Sequence, residues 1–262
     1  MAALEPQFFV AGRGDEARRI AYAQQQGGAP GIVWLQGFKS EMVSIKATAL
    51  AEWTAAKNLA YLRFDYSGHG MSDGRFEDGT ISRWLEEAIA IFEHLTQGPQ
   101  ILVGSSMGGY ISLLMLRHFM EAAPQTAERI KRLVLIAPAW NMTHDLIWPR
   151  FPEEAKHEIN THGVWQWQSQ YGDDYPITRN LIEDGAGLLI DKAPWNPGRP
   201  VNVLHGRLDP DVPYGHSERL GEIIYGSPYY LEEIPDGEHR LSRPEDLDVL
   251  LSVIARAVSG CA

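Results

Sequence analysis

The chain has 262 residues, 44% of them apolar and 22% charged, the composition of a globular protein long enough to bury a substantial core. Its formal charge of −11 argues against nucleic acid or an anionic membrane as partner, and no run approaches the roughly 18 uncharged apolar residues that span a bilayer. The single cysteine, Cys261, excludes an internal disulfide and any cysteine-based metal site; with no basic segment and apolar core at the N-terminus, the expected location is cytoplasmic.

In chain order, Phe8-Phe9-Val10 and Arg19 to Ala23 alternate in polarity around Gly12-Arg13-Gly14-Asp15, which predicts an edge hairpin. The glycines there and at Gly68, Gly70 and Gly74 lack the full G-x-G-x-x-G spacing, so no nucleotide cofactor is expected. Ile32 to Leu35 is an apolar strand ending at Gln36-Gly37-Phe38, followed by a helix over Ser44 to Asn58 and a strand over Ala60 to Phe64. A turn-rich loop, Asp65 to Ser72, comes next; then Thr80 caps a helix over Ile81 to Leu95, which Gly98-Pro99 terminates.

Ile101 to Tyr110, ILVGSSMGGY, organises the rest. Three buried-strand residues run into Gly104-Ser105-Ser106-Met107-Gly108, and a helical pattern follows to Met120. This is the strand–turn–helix context of a nucleophile elbow: small residues two places either side let the central residue take a strained conformation, so that Ser106 would present its hydroxyl. The helix would aim N–H groups and its positive end at the group under attack.

A further strand runs from Arg129 to Ile136. Residues 138–200 then break the strand–helix rhythm with five of the eight tryptophans, and read as an inserted, mostly helical cap on a core of residues 1–137 and 201–262. Alternation resumes with Val201 to Leu204, the loop His205 to Pro213, a helix near Ser217 to Ile224, the strand Tyr229 to Glu233, and a helix opened by the capping box Ser242-Arg243-Pro244-Glu245 that runs to about Val258. The whole predicts an α/β fold with a mostly parallel sheet, helices on both faces and the cap inserted.

Ligands of such sheets bind beyond the carboxyl ends of the strands, and four loops there hold reactive residue types in the order Ser…Asp…His. Acyl transfer needs a base beside Ser106, and His239 fills that role; Asp209 would hold the imidazole's other N–H, with Asp211 as competitor two residues on. The backbone N–H groups of Phe38 and Met107 would form an oxyanion hole. Trp140, Trp165, Trp167 and Tyr171 are the aromatic candidates to wall a substrate pocket. His69 and His205 read as structural, Glu154 and His157 alone make no metal site, and the sequon at Asn141-Met142-Thr143 reads as chance.

With these residues assembled, the chain resembles the α/β-hydrolase superfamily over essentially its full length. Asp65-Tyr66-Ser67-Gly68-His69-Gly70-Met71-Ser72 is similar to that family's D-x-x-G-x-G-x-S segment. His205-Gly206-Arg207-Leu208-Asp209 with Val212-Pro213 is similar to its acid loop, whose first Asp is catalytic, which favours Asp209. GPQILVGSSMGGY, RFDYSGHGMSDG and GVWQWQSQY resemble the branch containing the mitochondrial depalmitoylase and acyl-glucuronide esterase, although Gln36 stands where a histidine commonly precedes the oxyanion glycine. The resemblance implies a serine hydrolase of carboxylic esters or acyl thioesters that needs no cofactor; no metal is expected, the expected partner is a small-molecule substrate, and a homodimer is the assembly allowed for. The rival readings are carbon–carbon bond hydrolysis on the same scaffold and a non-catalytic binding protein.

Overall fold

The computed structural model describes residues 5–168 and 174–261. In chain order the elements are β1 (Gln7–Ala11), β2 (Arg18–Gln25), β3 (Gly28–Leu35), α1 (Ile45–Ala56), β4 (Leu59–Phe64), α2 (Ile81–Leu95), β5 (Gln100–Ser105), α3 (Met107–Ala122), α4 (Pro124–Ala127) and β6 (Ile130–Ile136). Then follow α5 (Glu153–His162), β7 (Val164–Trp167), β8 (Tyr175–Thr178), α6 (Arg179–Ala186), β9 (Val201–Gly206), α7 (Tyr214–Ile223), β10 (Tyr229–Ile234) and α8 (Pro244–Ser259).

Eight strands form one sheet in the order β1-β2-β4-β3-β5-β6-β9-β10. β1 and β2 make the antiparallel edge, with Phe9 opposite Ile20, and from β4 onward the pairings are parallel. The central strands are apolar throughout because both their faces are covered. Val33, Leu35, Leu102, Leu133 and Leu135 enter the core shared with α2 and α3, while Ile32, Trp34, Ile101, Val103, Val134 and Ile136 enter the core beneath α1 and α8. That alternation is the period-two geometry of a strand written twice into one sequence.

From β3 the chain steps outward to β4 and then returns to the other side of β3 as β5. Such a reversal opens a crevice at the carboxyl ends of the two adjacent strands, and it brings Gln36 to Lys39 beside Ser106.

Thr80 caps α2 as its sequence position implies, its hydroxyl accepting from the Arg83 N–H at 3.2 Å. Two helix starts differ from expectation. α7 begins at Tyr214, because Pro213 already holds the backbone angle suited to helix entry. α8 is capped one residue later than expected: Arg243 is the N-cap, Pro244 takes the first helical position, and Asp246 accepts from the Arg243 N–H at 3.0 Å. Between β6 and β9, where the sequence predicts mostly helix, the helices α5 and α6 are joined by a hairpin. Gly163 (φ 87°) ends α5, and the alternating Val164-Trp165-Gln166-Trp167 pairs antiparallel with Tyr175–Thr178.

The fully buried side chain of Asn141 donates to Asp191 at 2.8 Å and accepts from the Ile190 N–H at 3.0 Å, so its amide serves this segment's packing. No helix among the described residues is long and apolar enough to cross a membrane.

Candidate active site

Ser106 sits between β5 and α3 at φ 53°, ψ −117°, a conformation that side-chain-bearing residues adopt only under constraint. The constraint is visible. A Cβ on Gly104 would lie 2.3 Å from the Gly108 carbonyl oxygen, and one on Gly108 would lie 2.0 Å from that of Leu35. Only glycine lets strand, turn and helix approach this closely. The Ser106 N–H donates to Ile136 at 2.8 Å, and its carbonyl accepts from Gly109 at 2.9 Å and Ala139 at 3.1 Å, which pins the bend.

Loops leaving β9 and β10 bring Asp209 and His239 to this hydroxyl. His239 Nδ1 lies 2.7 Å from Asp209 Oδ2, and its Nε2 lies 3.1 Å from Ser106 Oγ. A carboxylate can only accept here, so Nδ1 carries the proton and Nε2 is left bare to accept from the serine hydroxyl. Ser106, His239 and Asp209, residues far apart in sequence, therefore form one hydrogen-bonded line.

Asp209 is saturated with donors. Oδ1 accepts from the N–H groups of Asp211 and Val212 at 2.9 and 2.8 Å, and Oδ2 takes a second imidazole, His205 Nε2, at 3.2 Å. Burial alone would push the Asp209 carboxyl up; the hydrogen bonds from His205 and His239, the His239 charge and the Val212 N–H outweigh it and hold the group well below the usual carboxylate range. Asp211, the alternative acid, has its carboxylate within 4.8 Å of the same pair but does not take the His239 proton position.

Sequence reasoning left His205 and His69 as structural, and the geometry is more specific than that. His205 is fully buried; the Val212 carbonyl at 2.9 Å fixes Nε2 as a donor, while Nδ1 meets the Ser217 hydroxyl at 2.6 Å. His69 braces the opposite wall. Its Nδ1 donates to the Ser67 carbonyl at 3.1 Å, and its Nε2 accepts from the Lys39 N–H at 3.2 Å, next to Phe38. Burial lowers the His69 pKa to about 4, which keeps it neutral and able to accept. Asp65 holds the same loop from below, accepting from Met42 at 2.7 Å and Met71 at 2.9 Å, and Gln36 Nε2 donates across it to Ser40 at 2.9 Å.

Met107 is the first residue of α3, so its N–H has no carbonyl one turn back to bond. Phe38 lies in the turn after β3, its ring against Phe76, Trp84 and Tyr175 at 5.0 to 5.8 Å.

A cavity of about 570 Å³ opens beside Ser106 and His239. Its aromatic walls are Trp34, Phe38 and Tyr175, and the tryptophans singled out from sequence are not among its lining residues. Trp140 is fully buried and stacks on His216 at 4.2 Å, because its indole N–H and carbonyl are both claimed by that residue. Trp167 stands behind Tyr175, nearly parallel to it at 6.5 Å, and Trp165 is half-buried on the same strand. Tyr171 lies outside the described residues. Trp34, Lys46 and Arg240 line the cavity without having been foreseen: only Arg240, next to His239, had a positional cue, since nothing local to Trp34 or Lys46 reveals which loop they will face.

Residues 31–183 match the family model described as serine aminopeptidase, S33. The chain is 33% identical over 239 residues to the mitochondrial palmitoyl-protein thioesterase ABHD10 of Bos taurus, covering 90% of this chain and 75% of that one. Among solved structures, alpha/beta hydrolase domain-containing protein 10 from mouse superposes with a TM-score of 0.85 at 29% identity, over 98% of this chain and all of that one. A protein of Agrobacterium vitis S4 superposes with a TM-score of 0.94 at 38% identity, again over 98% of this chain and 100% of the other.

Proposed function

The chain belongs to the serine aminopeptidase S33 family of α/β-hydrolases, and from that membership we propose that it hydrolyses carboxylic esters or acyl thioesters through an acyl-enzyme on Ser106. The name of the ABHD10 relatives, palmitoyl-protein thioesterase, supports the thioester side of this reading. The observation that carries the residue assignment is the continuous line from Ser106 Oγ to His239 Nε2 at 3.1 Å and from His239 Nδ1 to Asp209 at 2.7 Å.

Along that line, His239 takes the Ser106 proton as Oγ attacks the acyl carbonyl, and returns it to the departing alkoxide or thiolate. Asp209, its carboxyl held well below the usual carboxylate range by the bonds from His205 and His239, keeps the imidazole in the useful tautomer and stabilises its charged form. The N–H groups of Phe38 and Met107 receive the developing oxyanion; such donors are each worth about 2.7–4 kcal/mol in the transition state. Water then repeats the sequence on the acyl-enzyme and frees Ser106. Residues 138–200 act as the cap: Tyr175, from β8 within that stretch, supports this by lining the cavity beside Ser106. A cytoplasmic location rests on the lone cysteine, whereas the ABHD10 relatives are named as mitochondrial; fractionation of the expressing cell decides between them.

The test is labelling by a fluorophosphonate probe together with turnover of 4-nitrophenyl butyrate. Ser106→Ala loses both and His239→Ala loses turnover. Retention of turnover in Ser106→Ala would remove the assignment.

A further inference from the structure

The cavity beside Ser106 has a lopsided charge. In a chain with 34 acidic and 23 basic residues, its walls carry Lys39, Lys46 and Arg240, and no aspartate or glutamate is among its described lining residues.

Lys46 is the unusual member. It is only 8% exposed, and its ammonium donates to the Arg240 carbonyl and to Ser242 Oγ, both neutral acceptors. Asp246, whose charge acts on it, is committed to Arg243 at 2.8 and 3.0 Å. A buried ammonium without a carboxylate at hydrogen-bonding distance is a costly arrangement unless something anionic completes it. Burial accordingly lowers its pKa to about 8, still leaving it mostly charged near neutral pH.

Two further features belong to the same lining residues. Ser44, Ile45 and Lys46 line the cavity with the first turn of α1, a 12-residue helix whose first turn has no acidic residue to offset its positive end. Trp34, 1% exposed, lines the same cavity and has a buried indole N–H with no hydrogen-bond partner.

We propose that this cavity is an anion subsite, so that the enzyme prefers acyl substrates carrying a carboxylate or phosphate, held by Lys46 in the first turn of α1, with Lys39, its ammonium over the Phe76 ring at 4.5 Å, and Arg240 on the same walls. The proposal rests on the hydrolase reading and narrows it: the substrate is an anionic ester or thioester rather than a wholly apolar one. The anion belongs either to the acyl chain or to the leaving group, and matched substrates separate the two sources.

The experiment compares kcat/KM for 4-nitrophenyl hemiglutarate with 4-nitrophenyl valerate (anion on the acyl chain), and for 3-carboxy-4-nitrophenyl butyrate with its 3-methoxycarbonyl counterpart (anion on the leaving group). In the wild-type protein one of the two ratios favours the anion by roughly ten- to a hundredfold, the range of a charge-assisted hydrogen bond. That ratio falls toward one in Lys46→Met and is retained in Lys46→Arg; Lys39→Met lowers it by a smaller factor. Calorimetric titration with monomethyl glutarate reads the subsite without turnover, and Lys46→Met abolishes the binding signal. Turnover of the neutral esters with neither ratio above one overturns the subsite while leaving the hydrolase reading intact. Absence of turnover for all four esters removes the hydrolase reading, and the subsite then falls too if monomethyl glutarate gives no binding heat.

Discussion

The loops at the ends of β3, β5, β9 and β10 and the excursion between β6 and β9 are held in different ways. In the strand-end loops, position comes from backbone atoms in near contact and from polar groups whose hydrogen-bonding capacity is filled. Gly108 lies against the Leu35 carbonyl, and Asp209 accepts from two N–H groups and faces two imidazoles. The excursion is held by ring contacts such as Trp167–Tyr175 and Phe151–Trp167, and by side chains reaching backbone carbonyls, as Tyr110 and Arg117 do to Leu188. The first kind of restraint fixes a reactive atom to tenths of an ångström; the second fills space and tolerates exchange. The reactive hydroxyl is therefore held where a substitution meets backbone, and the excursion is held by contacts that leave room for exchange.

The largest effects expected are at the reactive line itself. Ser106→Ala or His239→Ala should reduce kcat for 4-nitrophenyl butyrate by on the order of 10⁶, as residues acting as a unit do. Asp209→Asn should cost about 10⁴ in kcat by favouring the wrong tautomer, while Asp211→Asn costs less than about tenfold. The reverse order for the two aspartates would show that the His239–Asp209 hydrogen bond is not the working one.

Next comes the close packing beneath the elbow. Gly108→Ala places a methyl 2.0 Å from a backbone oxygen that cannot withdraw, so it should destabilise the fold by more than about 4 kcal/mol, read from chemical denaturation. A comparably stable variant would mean that β3 and α3 can separate.

One histidine serves each region, and both give the same pH dependence. His69 braces the loop beside Phe38, His216 stacks on Trp140 at the root of the excursion, and burial lowers each pKa from 6.5 to about 4. Between those values the unfolded chain binds protons that the folded one refuses, so stability is highest above pH 6.5 and declines as pH falls toward 4. A shift of this size corresponds to about 3 kcal/mol for each group. Denaturation at pH 7 and pH 5 measures it. His69→Gln and His216→Gln should each flatten the decline, and only His69→Gln should also lower kcat without a matching change in KM, since only His69 holds the Lys39 N–H beside Phe38.

The smallest effect separates the regions most cleanly. Trp167→Ala removes the ring behind Tyr175 and should lower kcat/KM for the preferred ester by roughly two- to tenfold, the worth of one aromatic pair. It should also move the preferred acyl length across a graded 4-nitrophenyl ester series. An unchanged length profile would place substrate selection outside the excursion.

What could be read beforehand follows this same division. The elbow was legible because Gly104, Ser106 and Gly108 impose their geometry within five residues, and the parallel sheet because each central strand is apolar on both faces. The hairpin of β7 and β8 was missed, since four alternating residues amid tryptophans and prolines carry too little pattern to separate strand from helix. Trp140, chosen for a pocket, is sequestered by His216, a residue 76 positions away.

The sequence by itself determined the order of reactive residues, the bend that exposes Ser106 and the layering of strands and helices, because each depends on short-range sterics and periodicity. Only the tertiary structure decided that His205 backs Asp209, that His69 braces the loop beside Phe38, and that Lys39, Lys46 and Arg240 line one cavity with no carboxylate among its described lining residues. Those are meetings between loops from different strands, and their geometry is set by how the sheet twists and the helices pack, which no local stretch of chain encodes.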